Sequence, residues 1–245
     1  MLLNHQLKNL KRPTILREYD KQARLCAAEV RDYVQFLARL IELELIDRQR
    51  RMIERQSKAA RFLATKSLDS FDFAQIPSLN MMQVLELARG ERIDRCENVI
   101  ALGPSGNGET YVAIGLGLTA CQKGLTVRFT IAAAIVHDLM DARDERQLLR
   151  LQKQLVKQKL LTIDELGFVP LRKTGAVLLF KLISQRYKRD SILITSNLTF
   201  DEWTETLGSG RLTGALLDRL THHVSILEMN GESYRLAQSR ARQNS

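Results

Sequence analysis

The sequence predicts an α/β protein in which a parallel sheet is flanked by helices and preceded by a helical N-terminal region. Three observations carry this. From Asn98 onward, short apolar runs alternate with helical stretches, as in right-handed crossovers onto a parallel sheet covered on both faces. The octapeptide Gly103-Pro104-Ser105-Gly106-Asn107-Gly108-Glu109-Thr110 joins the first such run to the first such helix, which is the context of a phosphate-binding loop. Upstream, Val30, Val34, Leu37, Ile41 and Leu45 recur at steps of three and four, the period of an amphipathic helix.

The N-terminal region carries most of the charge. Of a formal net charge of +9, residues 1–66 hold an excess of seven, with 15 Lys/Arg against 8 Asp/Glu. Arg48, Arg50, Arg51, Arg55, Lys58, Arg61 and Lys66 follow one another closely. Such a run suits the phosphates of double-stranded DNA, and it equally suits a solvated helix face. No interleaved aromatics point to single-strand stacking. A linker with Phe71, Phe73 and Pro77 follows, and the domain boundary is placed near residue 68, giving regions 1–67 and 68–245. A second helix is expected over 81–89, with Pro77 and Ser78 as turn and N-cap. Strands are expected at 99–102, 126–130, 160–164, 191–196 and 224–228. Helices are expected at 110–122, 132–157 and 174–187.

The loop matches G-x-x-x-x-G-K-[ST] at every position but one, because Glu109 stands where lysine is required. Its glycines let successive backbone N–H groups face phosphate oxygens, and the following helix adds a partial positive charge. The run 160–165 is largely apolar and ends in Asp164 and Glu165. A buried strand of this kind delivers carboxylates to its tip, where Asp164 suits a nucleotide-bound Mg2+ and Glu165 suits a general base. Thr110, in the loop's last position, is the matching hydroxyl ligand for the metal. A third strand ends in Asn197, whose amide suits an attacking water or a γ-phosphate oxygen; an ordinary turn asparagine reads the same way. Arg219 suits either the γ-phosphate of a neighbouring subunit or a salt bridge with Asp218 or Asp201.

Three scattered cysteines, Cys26, Cys96 and Cys121, lack the pairing of a disulfide framework or a zinc site. No signal-type start and no membrane-spanning stretch is expected, which places the protein in the cytoplasm. His222 and His223 are adjacent and expected to diverge, without a metal role. Trp203 is expected to anchor a loop on the core.

Over nearly the whole chain these residues resemble the IstB group of insertion-sequence ATP-binding proteins, AAA+ helpers of a transposase related to the DnaC and DnaI helicase loaders. The resemblance rests on stretches such as Ile163-Asp164-Glu165-Leu166-Gly167, Ile194-Thr195-Ser196-Asn197-Leu198, Asp218-Arg219-Leu220-Thr221-His222-His223 and Gly231-Glu232-Ser233-Tyr234-Arg235. It implies an AAA+ fold, ATP and Mg2+ as cofactors, ATP-dependent homo-oligomers on DNA, and a transposase partner. Two features depart from it. Glu109 replaces the family's lysine, which puts ATP binding and hydrolysis in question. Gly115 and Gly117 lie inside a helix, where each costs roughly 0.5–1 kcal/mol relative to alanine, unless close packing favours them. Alternative readings are a nucleotide-insensitive DNA-binding scaffold and a DnaC-like helicase loader.

Overall fold

The computed structural model describes residues 2–231; of the matching stretches above, 232–235 lie outside the described residues. The chain divides into two compact units, Met1–Arg55 and Gln56–Ser245.

The first unit contains α1 (Leu2–Asn9), α2 (Pro13–Ala28) and most of α3 (Tyr33–Ala60). Pro13 opens α2 at a position where a missing N–H costs nothing. Arg12 supplies no side-chain cap; instead the N–H groups of Thr14 and Ile15 donate to Glu44 Oε2 at 2.9 and 3.1 Å. This explains why a glutamate is buried on α3: it satisfies donors that a helix start leaves open. Val30, expected within the amphipathic helix, instead lies in the turn before α3 with φ 51°. Val34, Leu37, Ile41 and Leu45 do share α3 but are exposed, whereas Leu40 and Glu44 face inward.

The second unit is built on a five-stranded sheet: β1 (Asn98–Leu102), β2 (Val127–Ile131), β3 (Leu160–Asp164), β4 (Ser191–Ser196) and β5 (Val224–Glu228). Every pairing is parallel, in the order β2-β3-β4-β1-β5. Side chains alternate between two cores, as a pleated strand requires. Ile100, Ile163 and Ile194 join one core, with Leu139 of α7 (Ala132–Asp144), Leu179 of α9 (Lys173–Arg186) and Leu216 of α11 (Gly210–Thr221). Val99, Leu160 and Leu193 join the other, with Val84 of α4 (Met81–Ala88) and Val112 and Leu116 of α6 (Glu109–Gln122). Short helices α5 (Glu91–Asp94), α8 (Leu148–Val156) and α10 (Trp203–Leu207) complete the unit.

Two helix expectations are corrected. The single helix expected over 132–157 is α7 and α8, broken where Arg146 takes φ 59° and the Gln147 N–H closes onto the Ala142 carbonyl. The break turns the chain so that Leu139 and Leu155, on different helices, reach one core. The N-cap of α4 is Asn80, which accepts from the Gln83 N–H at 3.2 Å, rather than Ser78. Ser78 instead directs its hydroxyl to the carbonyls of Glu228 and Asn230. Trp203 is fully buried, and its indole N–H donates to Ser196 Oγ at 3.0 Å.

Candidate nucleotide-binding site

The carboxyl ends of β1, β3 and β4 meet at one place, where ligands bind in open parallel sheets. After Leu102 the chain turns through the glycine loop and enters α6. Gly108 has φ 90°, and a β-carbon there would lie 2.9 Å from the Phe71 ring. Gly103 admits the carbonyl of Met229, which a β-carbon would strike. Asn107 is buried, and its amide donates to the carbonyls of Met229 and Gly231 at 2.8 and 3.1 Å. It therefore ties the loop to the chain after β5. Ser105 and Gly106 line the cleft, while Pro104 stays on the surface. Gly108 supplies no side-chain cap at the start of α6, and a helix N-terminus is the end that favours an anion.

Asp164, at the tip of β3, is fully buried, and the Thr110 hydroxyl donates to its two oxygens at 3.1 and 3.0 Å. Thr195 of β4 donates to Asp164 Oδ1 at 2.5 Å, and its oxygen accepts the Glu165 N–H at 2.9 Å. Glu165 and Asn197 line the same cleft as Gly103, Glu109 and Thr110. Arg219 is not among these residues. Its guanidinium donates to the Ala215 carbonyl at 2.7 Å and lies 4.7 Å from the centre of the Phe180 ring, so neither Asp218 nor Asp201 is the partner found. His222 and His223 do not diverge as expected; their rings meet edge to face, 4.3 Å apart. Among the described residues no group of His, Cys, Asp and Glu is arranged to hold a metal ion by itself.

The residues present fit a magnesium nucleotide in part. The uncapped helix start, the close-packed glycines and the Thr110–Asp164 pair suit phosphate and a hard cation. Position 109 does not. Glu109 is the first residue of α6 and is nine-tenths buried, and its Oε1 lies 2.8 Å from where a β-carbon on Gly103 would sit. A carboxylate in a helix's first turn is itself favoured by the helix dipole, so it competes with phosphate for the same positive end. The cleft it leaves measures about 40 Å³. Beside it opens a cavity of about 550 Å³, lined by Leu63, Lys66, Phe71, Ile76, Tyr111 and Ile114 among others. Sequence reasoning found neither this cavity nor Thr195. Phe71 and Ile76 in the linker were the signal for the cavity, and a hydroxyl two places before Asn197 was the signal for Thr195.

Comparison with known proteins agrees with this geometry. Residues 5–242 match the family described as IstB-like ATP binding protein. A relative from Geobacillus stearothermophilus, named as an ATP-binding protein of insertion sequence IS5376, is 37% identical over 93% of this chain and 91% of its own. One from Pseudomonas aeruginosa, named likewise for insertion sequence IS21, is 40% identical over 85% of this chain and 79% of its own. Among solved structures, the DnaC helicase loader aligns with TM-score 0.56 and 16% identity over 70% of this chain and 99% of its own. AMPPCP-bound DnaA from Aquifex aeolicus aligns with TM-score 0.60 and 14% identity over 75% of this chain and 56% of its own. These structural likenesses establish the α/β P-loop fold, and the sequence relatives establish more: the chain belongs to the IstB-like family of insertion-sequence ATP-binding proteins.

Proposed function

We propose that this chain is a transposition helper that assembles as a homo-oligomer on double-stranded DNA, assists a transposase, and holds ATP weakly because Glu109 stands in the phosphate loop. The observation that carries the reading is the Thr110–Asp164 hydrogen bonding, which joins the glycine loop to an acidic strand tip 54 positions further on. In this proposal the loop amides would hold phosphate oxygens, Thr110 and Asp164 would hold Mg2+, Glu165 would take the proton of the attacking water, and Asn197 would orient that water. The metal, when bound, would offset the negative charge of the phosphates. Arg219 would serve a neighbouring copy's nucleotide, after leaving the Ala215 carbonyl. The basic residues around the end of α3 supply the DNA contacts.

The test is to compare the unmodified chain with Glu109→Lys for magnesium-dependent ATP binding, hydrolysis and ATP-dependent assembly on duplex DNA. Gains in all three support the reading, and equal performance of the two chains overturns the electrostatic account. The packing of Glu109 into the loop favours a second reading, a scaffold that binds DNA without nucleotide. Micromolar ATP affinity of the unmodified chain removes that reading; absence of binding at millimolar ATP, with DNA binding intact, supports it.

A further inference from the structure

We propose that Thr195 is the positioning residue of this cleft: its hydroxyl joins β4 to the exit of β3 and sets where Asp164 and Glu165 point. The proposal rests on reading the cleft as a nucleotide site. Strand order makes it geometrically natural, because β4 lies between β1 and β3. The end of β4 is therefore within reach of both the loop strand and the acidic strand. Thr195 pairs with Ala101 in the ladder toward β1 and sends its side chain to β3.

A threonine hydroxyl has one proton and two lone pairs. The Glu165 N–H can only donate, so it takes a lone pair of Thr195 Oγ1, at 2.9 Å. The hydroxyl proton is then directed at Asp164 Oδ1, at 2.5 Å. With Thr110 donating from the opposite element, the carboxylate of Asp164 is clamped between two hydroxyls from β4 and α6. The same oxygen supports an unusual backbone. Glu165 has φ 58°, a left-handed conformation that residues with a β-carbon disfavour. Neighbouring bonds from β4 hold the same turn: the Leu166 N–H donates to the Thr195 carbonyl at 2.9 Å, and Ser196 Oγ donates to the Leu166 carbonyl at 2.6 Å. Thr195 is almost fully buried where it borders the cleft. Valine keeps its shape and loses both hydrogen bonds; serine keeps both and loses a methyl group.

The experiment compares the full-length chain with Thr195→Val and Thr195→Ser. Amide hydrogen exchange is read at Glu165, with Ile100 in β1 as reference. Loss of one buried hydrogen bond is expected to speed exchange at Glu165 by about tenfold in Thr195→Val, leaving Ile100 within about twofold, and Thr195→Ser is expected to restore slow exchange. In a Glu109→Lys background, Thr195→Val is expected to raise the magnesium concentration for half-maximal ATP binding by about tenfold, leave metal-free ATP affinity unchanged, and be rescued by serine. Unchanged exchange at Glu165 in Thr195→Val, equal acceleration at Glu165 and Ile100, or a serine variant that behaves like valine overturns the proposal. Absence of magnesium-dependent ATP binding in Glu109→Lys overturns the nucleotide reading instead, while the exchange comparison still decides the role of Thr195.

Discussion

At position 109 a buried carboxylate stands at the start of α6, where the glycine loop ends. Two unit charges about 4 Å apart interact by about 4 kcal/mol at an effective dielectric of 20, and glutamate for lysine both removes an attraction and adds a repulsion. The two effects separate by substitution. Glu109→Gln removes the repulsion alone and is expected to tighten ATP binding by about tenfold; Glu109→Lys adds the attraction and is expected to tighten it by about a hundredfold or more. Isothermal titration with magnesium ATP checks the order Lys, Gln, Glu; a glutamine variant as tight as the lysine variant would assign the whole effect to repulsion. That the loop, Asp164, Glu165 and Asn197 lie near one another was legible in the sequence because each follows an apolar run that is buried on both faces, so the strand ends gather polar side chains on one side of the sheet. Thr195 was not legible. A hydroxyl inside such a run has the same pattern whether it packs or bridges, and only the neighbouring strand decides.

Among the helices, α6 shows how packing overrules propensity. Gly115 and Gly117 weaken a helix in isolation, yet a β-carbon at Gly115 would lie 2.6 Å from Leu68 Cδ2, and one at Gly117 would lie 2.7 Å from Phe62 Cε1. The linker packs where side chains are missing. Gly115→Ala therefore gains up to about 1 kcal/mol of propensity and loses about 1–3 kcal/mol to overpacking; urea denaturation is expected to show a net loss of about 1 kcal/mol. Two buried arginines make a contrasting pair. Burial lowers both to a pKa of about 10. Arg186, at the end of α9, donates to the carbonyls of Leu155, Gln158 and Ser191 at 2.8, 2.8 and 2.9 Å. Arg92 of α5 has no hydrogen bond from its guanidinium among the described residues. Methionine at 186 abandons three carbonyls and is expected to cost about 3 kcal/mol, whereas methionine at 92 is expected to be neutral or to stabilise by about 1–3 kcal/mol. Comparing the two denaturation midpoints checks the opposite signs. The strands were predicted to within a residue or so because their apolar runs are short and bounded. The division of α7 from α8 was hidden, since Arg146 adopts a glycine-like conformation without being glycine. In the first unit the buried positions include Gln22 and Glu44, so its apolar stripe misreports which face is inside.

For the molecule as a whole, part of the basic run around the end of α3 is committed to neighbouring side chains. Arg50 pairs with Asp47 and Glu54, and Arg51 pairs with Glu44 and Asp47. Lys66 sits 5.1 Å from the centre of the Tyr111 ring. Arg48, Arg55, Lys58 and Arg61 remain as the basic side chains best placed to meet a polyanion. Replacing these four with glutamine is expected to lower the slope of log affinity for duplex DNA against log salt by roughly 3 to 4, at about 0.9 per phosphate contact. Fluorescence anisotropy across a salt series checks it, and an unchanged slope would move the DNA contacts elsewhere. The strand order has one further result. β1 bonds only to β4 and β5, with Asn98 beside Val224, so during synthesis the first strand leaves the ribosome long before either neighbour exists. Long-range parallel pairing of this kind is slow and exposes unpaired edges meanwhile. A copy of the gene whose reading frame fails before Ser191 would release a polypeptide with an orphaned strand, a substrate for proteases rather than a smaller working protein.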